Sequence, residues 1–250
     1  MDHEQPQDDR LYSDPELVEF YDLENAGGAD FAYCLALAEN AGSVLDLGCG
    51  TGQLAAALAG ARDVAGVDPA AAMLDVARRR TGGTRVEWVE ADARTARLGR
   101  TFDLVVLTGH AFQVFLTAQD QQAVLETIAH HLAPGGRFIF DTRNPVREEW
   151  REWTPELSQS MLLHPRHGRV RAWNDVRSDG ADVFTYWTFY EIAATGRTLA
   201  AESRIAFPAR DRLEAMMPDA GLAVETWLGD WQGGPYSIAS PEIIPLGRIA

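Results

Sequence analysis

Nine residues constrain this chain more than any others: Val44-Leu45-Asp46-Leu47-Gly48-Cys49-Gly50-Thr51-Gly52. The apolar residues predict a short buried strand and the glycines a sharp turn. Leu54, Ala55, Leu58 and Ala59 then open a helix. Glycine at 48, 50 and 52 lets the backbone turn and approach a ligand, because no Cβ intervenes. A helix N-terminus behind such a turn offers free N–H groups. A dinucleotide site calls for G-x-G-x-x-G, but the last position here is Gln53. Asp46, at the strand end, opposes a pyrophosphate and welcomes an ammonium group.

The string VLDLGCGTG resembles the first motif of the class I S-adenosylmethionine (SAM) methyltransferases. SAM has no phosphate and carries an α-ammonium, which suits Asp46. The resemblance covers about residues 43–142 and 209–249. It implies an α/β fold, with a seven-stranded, mostly parallel sheet, helices on both faces and one antiparallel strand.

The elements after the turn keep that order. Val64 to Val67 predict a second strand ending on Asp68, where a carboxylate accepts both ribose hydroxyls of a nucleoside. Pro69 starts a helix that holds Met73, Leu74 and Val76, with Arg78-Arg79-Arg80 in its last turn. Val86 to Glu90 is a third strand, followed by Ala91-Asp92-Ala93. Phe102 to Thr108 is a nearly continuous apolar run, the pattern of a central parallel strand covered on both faces. It leads into Gly109-His110-Ala111. Gln119 to Leu132 reads as an amphipathic helix, Pro134-Gly135-Gly136 as a turn, and Arg137 to Asp141 as a fifth strand.

By resemblance, Asp92 meets the adenine amino group while Ala93 supplies backbone to the ring. The remaining cofactor contacts come from Gly48, Cys49, Gly50, Pro69, Met73, Thr108 and Gly109. Cys49 serves there as a small turn filler. Tyr21-Asp22 closes over the methionine end of SAM, or Tyr21 simply packs on a helix face. His110 lies two residues past the fourth strand and is the candidate catalytic residue, as a base or as an orienter of the acceptor. Its alternative role is that of a histidine tied to backbone in a tight turn. No metal is expected.

Before the first strand, Ser13-Asp14-Pro15-Glu16 predicts a helix start with Ser13 as cap, and Ala29 to about Glu39 a second helix. Residues 1–10 are polar and predicted disordered. From Asn144-Pro145 the composition shifts towards aromatic residues. Arg169–Arg177 and Val183–Ile192 alternate like antiparallel strands around Ser178-Asp179-Gly180-Ala181, and Leu199 to Phe207 adds a third. This predicts a division into 1–144, a β insertion or lid at 145–207 over the acceptor site, and 208–250. Trp173 and Trp187 line an apolar acceptor pocket or pack the insertion's own core. Arg210 to Ala220 is helical. Leu222–Leu228 and Glu242–Ile249 form a closing hairpin whose connection, Gly229 to Tyr236, is expected to be mobile. His130 and His131 read as helix-dipole partners, and His164 and His167 as surface histidines, with acceptor contact as the alternative.

The chain has 250 residues and a net charge of -15. That charge disfavours nucleic acid, whose binding rests on Lys/Arg contacts to phosphates. The loop at Thr108-Gly109-His110-Ala111 also lacks an Asn/Asp-Pro-Pro-Tyr run. Two cysteines at no metal-ligand or disulfide spacing suit a reducing cytoplasm, and no apolar run approaches a membrane span. The expected activity is methyl transfer from SAM to nitrogen or oxygen of a small organic acceptor, by a monomer or homodimer. The alternatives are a non-catalytic binder of SAM or S-adenosylhomocysteine (SAH), and a methyltransferase acting on a peptide or protein. An NAD-dependent oxidoreductase is disfavoured by Gln53 and Asp46.

Overall fold

The computed structural model describes residues 9–250. Residues 1–8, most of the segment expected to be disordered, lie outside the described residues. In chain order the elements are α1 (Arg10–Ser13), α2 (Pro15–Glu24), α3 (Ala29–Leu37), β1 (Ser43–Leu47), α4 (Gln53–Leu58), β2 (Asp63–Asp68), α5 (Ala71–Arg79), β3 (Val86–Glu90) and β4 (Phe102–Leu107). There follow α6 (Ala118–His131), β5 (Leu132–Phe140), β6 (Thr142–Arg143), β7 (Ser160–His164), β8 (Gly168–Gly180), β9 (Val183–Ile192), β10 (Thr198–Ala206), α7 (Arg210–Met216), β11 (Leu222–Leu228) and β12 (Glu242–Ile249). They form two compact units. One holds residues 27–148 and 206–250, the other the described residues up to 26 together with 149–205.

The larger unit is built on a sheet of order β11-β12-β5-β4-β1-β2-β3. β12 runs antiparallel to both neighbours, and short β6 extends its pairing. The expected α/β architecture with one antiparallel strand is therefore present. Alternation along the strands divides the core. Leu45, Leu47, Val105, Leu107, Phe138 and Phe140 pack with α6 and α7 on one face, through Val124, Ile128 and Leu213. Val44, Val64, Leu104, Val106 and Ile139 pack on the other with Cys34 of α3 and Leu54 and Leu58 of α4. β4, covered on both faces, lies at the centre as its apolar run predicts.

Trp88 of β3 shows how closely this unit is fitted. Its indole N–H donates to the Gly83 carbonyl at 2.8 Å. A Cβ at Gly66 would lie 2.5 Å from the ring, and one at Gly52 2.3 Å from it. The third glycine of the turn is thus needed for packing as well as for its backbone angle.

The smaller unit is an antiparallel sheet of order β10-β9-β8-β7. β7 adds a strand to the three that the sequence predicts, and β8 runs to Gly180, so the turn falls after that residue. Leu17 and Phe20 of α2 pack on Val170, Ala172, Tyr190 and Ile192 of this sheet. The sequence-based division put α2 with residues 1–144. It packs instead with the insertion, because its apolar face is complementary to that of β8 and β9. Trp173 and Phe189 are stacked at 5.0 Å on the alternate register, and the half-buried Trp187 shares their phase. Trp187 is therefore absent from the core of the insertion.

Several local expectations need correction. Asp14, not Ser13, caps α2: its side chain accepts from the Glu16 N–H at 3.0 Å, while Ser13 ends α1. His131 is fully buried, donating from Nδ1 to the Thr127 carbonyl at 2.8 Å and accepting the Leu98 N–H at Nε2, so burial holds it neutral. It is no dipole partner. His164 is 3% exposed, and its Nδ1 accepts the N–H groups of Arg166 and His167. That makes it a turn anchor and not a surface histidine. Within the connection from Gly229, Asp230 accepts the N–H groups of Gln232 and Gly234 at 2.9 and 3.0 Å, which adds local order to the expected loop.

The two left-handed glycines with different surroundings give a direct test. Gly109 has φ +69 and open space, whereas Gly52 has φ +72 and the Trp88 ring. Gly109→Ala is expected to cost about 1–2 kcal/mol of backbone strain, and Gly52→Ala a further ~1–3 kcal/mol of overpacking. Urea denaturation of both variants measures the difference. Trp88→Leu in the Gly52→Ala background should recover part of the loss. Equal losses at the two glycines would dismiss the packing role.

Candidate active site

Strand order reverses between β1 and β4, and open α/β sheets hold ligands at the carboxyl ends of strands at such a point. β1 ends there in the glycine turn, with φ of +66, +52 and +72 at Gly48, Gly50 and Gly52. The Cys49 N–H donates to the Val67 carbonyl at 3.0 Å. The Gly50 N–H donates to one carboxylate oxygen of Asp68 at 2.9 Å, and the Ala70 N–H to the other at 2.9 Å. Asp68, at the end of β2, thereby joins the turn to the start of α5.

Asp46 and Asp68 are 3% and 8% exposed. Burial raises both carboxyls. Asp46 is pushed up to about 7, with repulsion from Asp68 adding and the Ala55 N–H opposing. Among the described residues no cation pairs with either. Two buried acids without a cation reject phosphate and suit a ligand that brings its own positive charge. The Cβ-free turn provides close approach. Both properties fit SAM, and the uncompensated acids do not fit a pyrophosphate.

Of the other expected contacts, Asp92 follows β3, and its carboxylate is engaged by Arg94. The guanidinium Nε lies 3.0 and 3.1 Å from the two oxygens, Nη2 lies 2.6 Å from one, and the Arg94 N–H donates at 2.8 Å. Arg94 Nη1 reaches Asp120 at 2.7 Å. Ala93 is buried beside it. Pro69 is exposed at the entry to α5, while Met73 is 1% exposed and packs in the core. Thr108 and Gly109 follow β4. Cys49 sits within the turn, where burial pushes its thiol up, as befits an inert filler. Tyr21 lies on α2 in the other unit, edge-on to Tyr12 at 6.2 Å.

A second cluster stands beside the turn. His110 follows Gly109 with φ +61, a left-handed value that a side chain rarely adopts. Its backbone N–H donates to Asp141 Oδ1 at 3.0 Å. Its Nε2 lies 3.0 and 3.1 Å from the two oxygens of Glu242 and 3.6 Å from Asp141 Oδ2. The loop abuts the glycine turn, since a Cβ at Gly48 would lie 3.0 Å from that of Ala111. Sequence reasoning found His110 but not its partners. Asp141 carried a usable signal, because it ends an apolar strand as Asp46 and Asp68 do. Glu242 opens a strand from the far end of the chain and carried none.

Residues 44–136 match the pattern of a methyltransferase domain family. The chain is 33% identical to the cypemycin N-terminal methyltransferase of Streptomyces sp over 213 residues, 81% of each chain. It belongs to the class I SAM-dependent methyltransferases. Another methyltransferase relative is the dTDP-3-amino-3,4,6-trideoxy-alpha-D-glucopyranose N,N-dimethyltransferase of Streptomyces venezuelae. It is 33% identical over 203 residues, 78% of this chain and 79% of that one. The CcbJ methyltransferase of Streptomyces caelestis shares the methyltransferase fold at 20% identity, with a TM-score of 0.74 over 92% of this chain and 95% of that one. The enzyme's methyl donor is accordingly SAM.

Asp46 yields a stability test of the ligand-free methyltransferase. Its folded carboxyl is raised from 3.8 to about 7. Between these values the unfolded chain is ionised and the folded one protonated, so this contribution to stability is present below 3.8 and lost as pH rises to about 7. Asp46→Asn should therefore melt higher than the parent at pH 8, with the difference shrinking as the pH is lowered towards 4. A melting difference independent of pH would contradict the buried-acid account.

Proposed function

We propose that this enzyme methylates an amine nitrogen of a small organic acceptor, with Asp46 taking the α-ammonium of SAM and Asp68 its ribose hydroxyls. The pair of buried acids without a protein cation carries the reading. Each Asp68 oxygen accepts one N–H group and keeps a lone pair for a hydroxyl donor. Gly48, Cys49 and Gly50 line the methionine end, Asp92 and Ala93 the adenine, and Pro69, Met73, Thr108 and Gly109 complete the expected set. Tyr21 is assigned to the methionine end on resemblance alone.

SAM supplies an activated methyl group on a sulfonium whose departure leaves a neutral thioether. The chain's part is to align the acceptor, exclude water and manage one proton. His110, beside the cradle and partly exposed, is assigned the contact with the acceptor. The amine preference is drawn from the amino-sugar relative, an N,N-dimethyltransferase by name, and from the N-terminal methyltransferase relative. Residues 145–207 are assigned to acceptor choice, because they leave the main sheet just after β5 and β6. A cytoplasmic location is proposed from the two free cysteines. No helix among the described residues is long and apolar enough to cross a membrane.

Three measurements test this. SAH should raise the melting temperature and NAD should not, since only a ligand of the folded state stabilises it. A shift with NAD alone would overturn the cofactor assignment. Asp68→Ala should weaken SAH binding by at least about tenfold in calorimetry while the protein stays folded, given charge-assisted bonds of roughly 1.5–3 kcal/mol each. Unchanged affinity would remove Asp68 from the site. Trp187→Ala should leave SAH affinity and melting temperature nearly unchanged while altering acceptor affinity. A large loss of stability would make Trp187 structural.

A further inference from the structure

We propose that Glu242 and Asp141 hold His110 as its Nε2–H tautomer, leaving Nδ1 as the base that takes the proton of an amine acceptor arriving as its ammonium. The inference rests on the methyltransferase reading above and adds the acceptor's protonation state and the route of its proton.

The tautomer follows from the partners. An ionised carboxylate only accepts hydrogen bonds, so a ring nitrogen held 3.0 and 3.1 Å from both Glu242 oxygens carries the hydrogen. A neutral imidazole has one N–H, so Nδ1 bears the lone pair. Among the described residues Nδ1 has no partner, and the side chain is 24% exposed. The ring is thus fixed on one edge and open on the other. That is the arrangement in which a carboxylate orients a histidine base and stabilises the imidazolium that forms.

Asp141 acts on the backbone. It is 1% exposed and accepts the His110 N–H, which keeps His110 at φ +61 directly after Gly109 at φ +69. A non-glycine residue stays in such a conformation where its surroundings over-determine it, and such residues gather at functional sites. Two carboxylates therefore face His110, from the end of β5 and the start of β12. Burial raises the Asp141 carboxyl, and the Arg143 cation of β6 opposes that rise. The resulting field favours a positively charged ligand.

An ammonium has no lone pair with which to attack. His110 Nδ1 takes one of its protons and becomes part of an imidazolium facing Glu242. The freed pair on the amine forms the N–C bond, and the electrons of the breaking C–S bond remain on sulfur. Charge balances: an ammonium and a sulfonium become a methylated ammonium, a neutral thioether and an imidazolium, which then gives its proton to solvent.

The experiment uses the full chain labelled with 15N-histidine, after calorimetry has established SAH binding. Failure to bind SAH defeats the cofactor reading. The ring spectra, recorded with or without SAH, judge the present proposal separately. Long-range 1H–15N spectra, assigned by the signals lost in His110→Gln, should show the Nε2–H form of neutral His110. Glu242→Gln keeps an acceptor oxygen and should keep that form, whereas Glu242→Leu should mix or reverse it. An Nδ1–H form in the parent protein, or no change in a folded Glu242→Leu, overturns the proposal, and the parent spectrum decides alone if that variant does not fold. Methylammonium chloride should move the Nδ1 resonance beyond the effect of potassium chloride, and absence of that shift counts against the ammonium acceptor. The three side chains also present ligand atoms within 4.8 Å of one another. Zinc chloride is therefore the rival probe. A zinc-induced shift of His110 that Glu242→Gln abolishes would make the cluster a metal site and overturn the proposal.

Discussion

The Asp68 carboxylate is the interaction on which the rest of this site depends. It receives the Gly50 and Ala70 N–H groups, one on each oxygen. Those two donors belong to the turn after β1 and to the segment entering α5. A single side chain at the end of β2 therefore sets the shape of the cradle and the start of the next helix. The cost is an acid 8% exposed, whose charge also disfavours ionisation of Asp46. The fold tolerates this because the backbone donors offset part of the desolvation. A cationic ligand would offset the remainder. In the role proposed for Asp46, stability of the protein and affinity for the cofactor thus pull in opposite directions.

His110 carries the same opposition in its backbone. Left-handed geometry at a non-glycine residue is unfavourable, and the buried Asp141 holds it. Asp46, Asp68 and Asp141 each end or follow a strand of the parallel sheet. Each uses backbone N–H groups to stay inside a low-dielectric crevice. The site is assembled from strand ends, with loop side chains added.

Much of the larger unit was legible in the sequence because its signals are local. The glycine turn, the apolar run of β4 and the acids after β1 and β2 each stand within a few residues of what they determine. What was illegible depends on pairing across the chain. Glu242 meets His110 only because β12 inserts beside β5. Leu17 and Phe20 of α2 look like any apolar helix face until β8 and β9 fold beneath them. The Gly52 requirement is only half local. Its backbone angle followed from the turn, but its contact with Trp88 needed the register of β2 and β3, in which Gly66 pairs with Trp88. The Asp92–Arg94 pair is local, only two residues apart, yet side-chain rotamers decide it, and motif spacing does not report rotamers.

The smaller unit is discontinuous. Its sheet comes from residues 149–205, but the helix that covers one face of that sheet comes from the start of the chain. An insertion grown from a single loop could be lengthened, trimmed or exchanged as one cassette. Here any such exchange would strip Leu17 and Phe20 of their partners and leave an apolar helix in water. The smaller unit is therefore encoded in two separated segments, and grafting the aromatic sheet alone onto another protein would transfer an unfinished module.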